Sequence, residues 1–162
     1  MQETNMNIKK HTKESFCVIG KQGSTDGGDG FIGELWDDAN DNFNEIAALV
    51  KTDANGNSVG FWGAMSDMSM SFKPWEDDFS KGLYLAGAEV RDDAEVPDGW
   101  VKWTIPSYEY LCVKVEGGAS DTFTAMLTYM KDNNFQLAGA VHDFICPEEN
   151  GQGYMFFPIR RL

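Results

Sequence analysis

The stretch SYEYLCVKVEGGASDTFTAMLTYM, residues 107–130, contains the two elements whose order decides the fold. Its first part, SYEYLCVKV, is rich in aromatic and β-branched residues and predicts a strand. Its second part, SDTFTAMLTYM, predicts a helix with Ser120 or Asp121 as the N-cap and Asn133 and Asn134 at its end. The apolar residues of this helix recur at spacings of three and four and form one side: Phe123, Met126, Leu127 and Met130.

Two predicted strands follow this helix, AGAVHDFIC at residues 138–146 and GYMFFPI at 153–159, so the second half of the chain is ordered β-α-β-β. The first half has the same order. It contains a strand at 15–20, a glycine-rich loop at 21–30, a helix at 35–50, and strands at 59–65 and 81–90. The apolar positions of the first helix are Trp36, Ala39, Phe43, Ile46, Ala47 and Val50.

This internal repeat predicts the architecture. Neither half buries the apolar face of its own helix, so we expect the halves, at about 15–90 and 104–162, to pack side by side as one α+β domain. The expected product is an antiparallel sheet with two helices on it and a cleft between the halves. The linker at 92–100 separates the halves, and residues 1–14 are expected to form a polar, partly flexible segment.

Charge and composition exclude several classes of function. The net charge of −13, from 26 acids against 13 bases, disfavours direct binding to nucleic acid. No apolar run reaches the roughly 18 residues of a membrane helix, and the polar start has no secretory core, so we expect a cytoplasmic protein without membrane contact. Cys17, Cys112 and Cys146 are expected to be small core residues rather than a disulfide framework.

The seam between the two halves is the predicted binding cleft, because pockets favour interfaces between structural units. Its candidate lining is unusually aromatic. The candidates are Trp36, Phe61, Trp62, Trp75, Tyr84, Tyr110, Phe144 and Phe156. Asp143 stands among apolar neighbours on a predicted strand, where a carboxylate is unfavourable unless it is paired, protonated or awaiting a cation.

Several segments of this chain resemble the GyrI-like small-molecule-binding domain, the effector-binding domain of AraC-type and multidrug-responsive transcription regulators. The resemblance covers nearly everything from Phe16 to Ile159. It rests on the order and spacing of ELWDDANDNFNEI, GFWGAM, YLAGAEV, IPSYEYLCV and the ending HDF…GYMFFPI.

The resemblance implies a cleft between the repeats that binds flat, hydrophobic and often cationic compounds. It also implies an acidic residue on the penultimate strand facing the ligand. That acid is usually glutamate, and Asp143 stands at the matching position, about one methylene shorter. Ile145, two residues further along the strand, is expected to face the same cleft. Tyr110 and Phe156 match the aromatic residues of two other strands.

Other interpretations of these residues stay open at the level of sequence. Asp143 is also compatible with a structural role as a hydrogen-bond acceptor. Glu89 is either a second acid of the pocket or an exposed residue at a strand end. His142 is expected to be half-exposed. A metal site built from His142, Asp143 and Cys146 is disfavoured, because adjacent residues of a strand point to opposite faces.

Three functions follow from these features. The first is a stand-alone domain that binds hydrophobic or cationic aromatic molecules, and that has no DNA-binding motif of its own. The second is hydrolysis of cyclopropane-bearing alkylators in the same cleft, as the resemblance implies for some relatives. The third is an acidic protein-interaction module of the gyrase-inhibitor type, with a protein partner or a second copy of the chain. No catalytic set, metal site or cofactor is expected.

Overall fold

The computed structural model describes residues 8–162 and contains one eight-stranded sheet in which every neighbouring pair is antiparallel. The strands are β1 Ile8–Lys13, β2 Phe16–Ser24, β3 Phe61–Ser66, β4 Leu83–Val90, β5 Val101–Ile105, β6 Tyr108–Lys114, β7 His142–Cys146 and β8 Gln152–Arg161. The helices are α1 Phe31–Asp41, the four-residue α2 Glu76–Phe79 and α3 Ala119–Asp132. The expected α+β fold with an antiparallel sheet is therefore confirmed.

The sheet order β1-β6-β8-β7-β3-β4-β2-β5 shows how the two repeats are joined. One repeat is β2-α1-β3-β4 and the other is β6-α3-β7-β8, and they meet where β3 pairs with β7. β1 leads into β2 but pairs with β6, whereas β5 leads into β6 but pairs with β2. Each half therefore contributes its leading strand to the outer edge of the other half, and the backbone hydrogen bonds of the sheet connect both halves.

The first helix is shorter than the sequence predicts and begins earlier. Gly30, at φ 83°, lies in the left-handed region that glycine tolerates, and this geometry starts the helix at Phe31. The side chain of Asn42 donates to the carbonyl and carboxylate of Asp38, and the helix ends there. The rest of the predicted helix forms the 3₁₀ turns Phe43–Glu45 and Ala47–Leu49. The glycine-rich loop is also shorter than predicted, because β2 continues through Ser24.

At α3 the predicted start of the helix is wrong and its predicted end is confirmed. The helix begins at Ala119 with Gly118 as N-cap, so the prediction of Ser120 or Asp121 as cap is wrong. Both residues lie in the first turn, where the charge of Asp121 is favourable near the helix N-terminus. Asn133 is the C-cap, and Asn134 follows with φ 63°, which confirms the predicted termination by asparagine.

The sheet has two different faces, which we call the helix face and the open face. The helix face packs against α1, the 3₁₀ turns and α3 through two apolar clusters. The open face carries a third cluster that includes Trp62, Tyr110 and Phe156, and it is partly covered by the loop around Phe72.

Of the polar segment expected at 1–14, residues 8–13 form β1, and residues 1–7 lie outside the described residues. None of the helices in residues 8–162 is long and apolar enough to cross a membrane.

Candidate ligand-binding site

The groove between α1 and α3 lies over the two central strands, β3 and β7. Their register pairs Gly63 with Asp143 and Phe61 with Ile145. Because side chains alternate along a strand, these residues share the helix face. The seam between the repeats is thus a groove on that face, with one carboxylate in the middle of its floor.

A cavity of about 450 Å³ occupies one end of this groove. Its lining is apolar except for one serine. The lining residues are Ile32, Met65, Pro74, Trp75, Phe79, Ser120, Phe123 and Val141. Trp75 and Phe79 come from the segment around α2, in which Asp77, Asp78 and Phe79 have positive φ angles. A backbone of this kind is unfavourable for residues other than glycine, so the cavity is bounded by a segment of strained conformation.

A smaller cavity of about 360 Å³ lies at the other end and is lined by Trp36, Asn40, Phe61 and Ile145. The order of residues along β7 is Val141, Asp143 and Ile145, all on the helix face. Val141 lines the larger cavity and Ile145 the smaller one. Asp143 therefore stands between two apolar cavities.

A chain of hydrogen bonds holds Asp143. The indole Nε1 of Trp36 donates to Tyr84 Oη over 3.1 Å, and Tyr84 Oη donates to Asp143 Oδ2 over 2.9 Å. The tyrosine reaches the acid by crossing Gly63 on the intervening strand, where an added Cβ would overlap the Tyr84 hydroxyl. Glycine at this position is therefore required for the contact between Tyr84 and Asp143.

Burial governs the ionisation of this cluster. It raises the pKa of Asp143 to about 6, because the surrounding protein disfavours the charged carboxylate, and the hydrogen bond from Tyr84 partly opposes this effect. Burial also raises the pKa of Tyr84 well above its usual value, and the charge of Asp143 acts in the same direction. Tyr84 is thus a neutral donor at physiological pH, and Asp143 is a carboxylate that is readily protonated in weak acid.

The structure separates the ten residues predicted to bind ligand into two sets. Six lie on the helix face around the groove: Trp36, Phe61, Trp75, Tyr84, Asp143 and Ile145. The other four lie on the open face: Trp62, Glu89, Tyr110 and Phe156. The expectation of one shared cleft is wrong for this second set, because alternation along the strands turns these side chains away from Asp143. Tyr110 is also fully buried in the core.

Two further expectations about polar residues are wrong. Glu89 is only 3% exposed and pairs with Lys13, so it is not an exposed strand end. His142 is buried rather than half-exposed, and burial lowers its pKa to about 3. Its Nδ1 accepts a hydrogen bond from the backbone N–H of Met65. His142 and Asp143 do point to opposite faces, as the strand geometry predicted.

Sequence reasoning missed part of the cavity wall and the role of Gly63. Ile32, Met65, Phe79, Phe123 and Val141 read as ordinary core residues in the sequence, because a cavity lining has the same apolar pattern as a core. Gly63 did carry a signal. A glycine inside a strand often marks a place where another group approaches the backbone closely.

Removing the hydroxyl that donates to Asp143 is expected to shift the ionisation of the acid. In Tyr84→Phe, we expect the pKa of Asp143 to rise further above 6, because the bond that favours the carboxylate is lost. NMR titration of the Asp143 carboxyl carbon measures this shift. An unchanged or lower pKa would show that the tyrosine hydroxyl does not stabilise the charged form.

Comparison with known proteins finds the fold but no close sequence relative. No protein-family model and no curated protein sequence matches the chain. Solved structures do match over nearly the whole length. The structure of SAV2435 bound to tetraphenylphosphonium has a TM-score of 0.68 at 12% identity, covering 96% of this chain and 94% of that chain. The EcmrR C-terminal domain has a TM-score of 0.66 at 11% identity, covering 98% and 100%.

The fold is that of the GyrI-like domains. An integron cassette protein from the mobile metagenome of Vibrio cholerae shares it as well, with a TM-score of 0.57 at 15% identity, covering 96% of this chain and 97% of that chain. The resemblance stated from the sequence is thus confirmed at the level of the fold. The GyrI-like architecture places the groove between α1 and α3 at the meeting point of the two repeats.

Proposed function

We propose that this protein binds lipophilic aromatic cations in the groove between α1 and α3, with Asp143 as the counter-charge. The observation that carries this proposal is the position of Asp143 between two apolar cavities. None of the ion pairs within residues 8–162 involves Asp143, so the carboxylate has no lysine or arginine partner there. A partly buried anion without a protein cation favours a ligand that brings one.

The chemistry of the groove suits such a ligand. Aromatic rings that line the two cavities, including Trp36, Phe61 and Trp75, attract a delocalised cation through contacts worth roughly 0.5–2 kcal/mol each. Burial of apolar area adds affinity for ligands of many shapes, and the flexible side chain of Met65 can adjust to each of them. The expected selectivity is therefore broad for shape and strict for charge. The tetraphenylphosphonium in the SAV2435 structure is a ligand of this chemical class.

The pH dependence of cation binding tests this proposal. Since the pKa of Asp143 is about 6, about one quarter of the acid is ionised at pH 5.5 and nearly all of it at pH 7.5. A cation that binds the protonated acid about tenfold more weakly than the carboxylate is therefore expected to bind about threefold more weakly at pH 5.5 than at pH 7.5. Isothermal titration calorimetry with tetraphenylphosphonium at both pH values measures the ratio.

The result that would overturn the proposal is a cation affinity that is absent at both pH values. An affinity that is independent of pH would instead remove Asp143 from the role of counter-charge. The two alternative functions have different signatures. Hydrolysis of an electrophilic substrate gives turnover that is lost in an acid variant, and gyrase restraint gives inhibited supercoiling that weakens with salt.

A further inference from the structure

The open face of the sheet carries a separate groove of about 530 Å³, on the opposite side from Asp143. Its floor is aromatic and consists of Trp62, Phe144, Tyr154 and Phe156. Trp62 is packed against Phe144 and Phe156 with ring centroids 4.6 and 5.0 Å apart. Trp62 and Phe156 are buried, whereas Phe144 and Tyr154 are partly exposed. The two partly exposed rings are therefore the part of the floor on which a flat molecule can lie.

The rim of this groove is basic, in contrast to the rest of the protein. Lys9, His11 and Lys13 alternate along β1 and so share one face, which is turned to the groove. The charged residues of the lining are Lys9, Lys10, Lys13, Lys51, Glu89 and Glu149. Lys10 alternates to the other face, where its ammonium lies over the ring of Phe135. The remaining three lysines against two glutamates give an excess of one positive charge, whereas the whole chain has a net charge of −13. The local field therefore favours an anion.

The buried acid of this groove is already neutralised by the protein itself. Glu89 accepts a hydrogen bond from Trp62 Nε1 over 3.1 Å and pairs with Lys13 at 3.3 Å and Lys51 at 3.8 Å. The ammonium of Lys13 also lies 4.4 Å from the ring centroid of Phe16 and 5.7 Å from that of Trp62. The Lys13 ammonium thus occupies the position next to the aromatic rings and the Glu89 carboxylate that an aromatic cation would take.

We propose that this groove, which we call the open-face site, binds an aromatic organic anion, a carboxylate or a sulfonate. The rings of the ligand lie on the aromatic floor. Its anionic group accepts hydrogen bonds from those lysine N–H donors that do not bind Glu89. These are chiefly the donors of Lys51, whose side chain is 52% exposed. The open-face site is independent of the cation groove, since the sheet separates the two.

Tryptophan indole signals locate a ligand on one face or the other. The indole N–H of Trp62 donates to Glu89 in the open-face site, whereas those of Trp36 and Trp75 donate to Tyr84 Oη and to the carbonyl of Leu83 near the cation groove. Titration of the ¹⁵N-labelled protein with 8-anilinonaphthalene-1-sulfonate is expected to shift the Trp62 signal. Tetraphenylphosphonium is expected to shift those of Trp36 and Trp75.

Charge removal at the rim tests whether the anionic group matters. In Lys51→Gln, the dissociation constant of 8-anilinonaphthalene-1-sulfonate is expected to rise about threefold, as is typical of the loss of one partly exposed charge contact. The uncharged N-phenyl-1-naphthylamine should bind the variant and the wild type equally. Lys131→Gln, which removes the same charge from α3, is the matched control and should leave both constants unchanged.

Three results of these titrations would overturn the open-face site. They are shifts confined to Trp36 and Trp75, an unchanged sulfonate affinity in Lys51→Gln, and an equal loss in Lys131→Gln. A Trp62 signal that changes with protein concentration, together with sedimentation as a dimer that excludes the sulfonate, would assign the face to a second copy of the chain. That outcome also contradicts an anion site. Absence of cation binding leaves the open-face site unaffected, so the two proposals fail separately.

Discussion

Replacing Asp143 by asparagine is expected to weaken binding of tetraphenylphosphonium about tenfold at pH 7.5, or about 1.4 kcal/mol. Asparagine keeps the size of the side chain and an oxygen that accepts the hydrogen bond from Tyr84, but it removes the negative charge. The apolar contacts of the groove remain, so weak binding should persist. Calorimetric titration of wild type and variant measures the difference, and the pH dependence of binding should disappear in the variant.

The stability of the same variant separates a binding role from a structural role. Because the folded protein holds the Asp143 proton more tightly than the unfolded chain, ionisation of this group destabilises the fold as pH rises from about 4 to about 6. Asp143→Asn should therefore be at least as stable as wild type at pH 7.5. A clear loss of stability with unchanged cation affinity would identify Asp143 as a structural acceptor.

Two controls complete this experiment. Asp37→Asn removes the same charge from the exposed side of α1 and should not change the affinity for tetraphenylphosphonium by more than a small factor. Triphenylphosphine oxide, which is uncharged, should bind wild type and Asp143→Asn equally. An equal loss of affinity for the uncharged compound would indicate that the substitution damages the groove rather than its charge.

Replacing Gly63 by alanine is expected to lower the free energy of unfolding by about 1–3 kcal/mol, the usual range for an overpacked core position. The new Cβ would overlap the hydroxyl and ring of Tyr84. The backbone cannot move away easily, since Gly63 is paired with Ala86 on one side and with Asp143 on the other. Tyr84 must leave its position, so the hydrogen bond to Asp143 should be lost as well. Urea denaturation measures the stability.

A second strand glycine provides the matched control. At Gly153 in β8 an added Cβ would meet only Val115, at an ordinary contact distance of 3.9 Å. Gly153→Ala should therefore have little effect on stability. The loss caused by Gly63→Ala should also shrink in a Tyr84→Leu background, where the overlapping atoms are absent. Additive losses would show that Tyr84 is not the group that alanine displaces.

The helices and the repeat could be predicted from the sequence because both leave local patterns. The apolar side of α3 and its termination at Asn133 and Asn134 depend on residues close together in the chain. The shared face of Asp143 and Ile145 also follows from the alternation of a single strand. At Asn42 two local signals compete, because the apolar pattern continues while the asparagine side chain ends α1. The helix boundary predicted from the apolar pattern is therefore wrong.

The face on which each residue lies could not be read from the sequence in the same way. All eight residues of β4 are buried, because the sheet packs on both sides there, so its sequence does not show which side carries Tyr84 and which carries Glu89. The strand exchange of β1 and β5 is likewise invisible locally, since each strand pairs with a half to which it is not adjacent in the chain.

The sequence by itself therefore determined the order β-α-β-β in each repeat, the duplication and the presence of one acid among apolar residues, all of which are properties of neighbouring residues. Only the tertiary structure decided that Tyr84 reaches Asp143 across Gly63, and that Glu89 lies on the other face with lysines from β1 and from residue 51. These contacts join residues that are distant in the chain. They depend on strand order and register, which the packing of the whole sheet fixes.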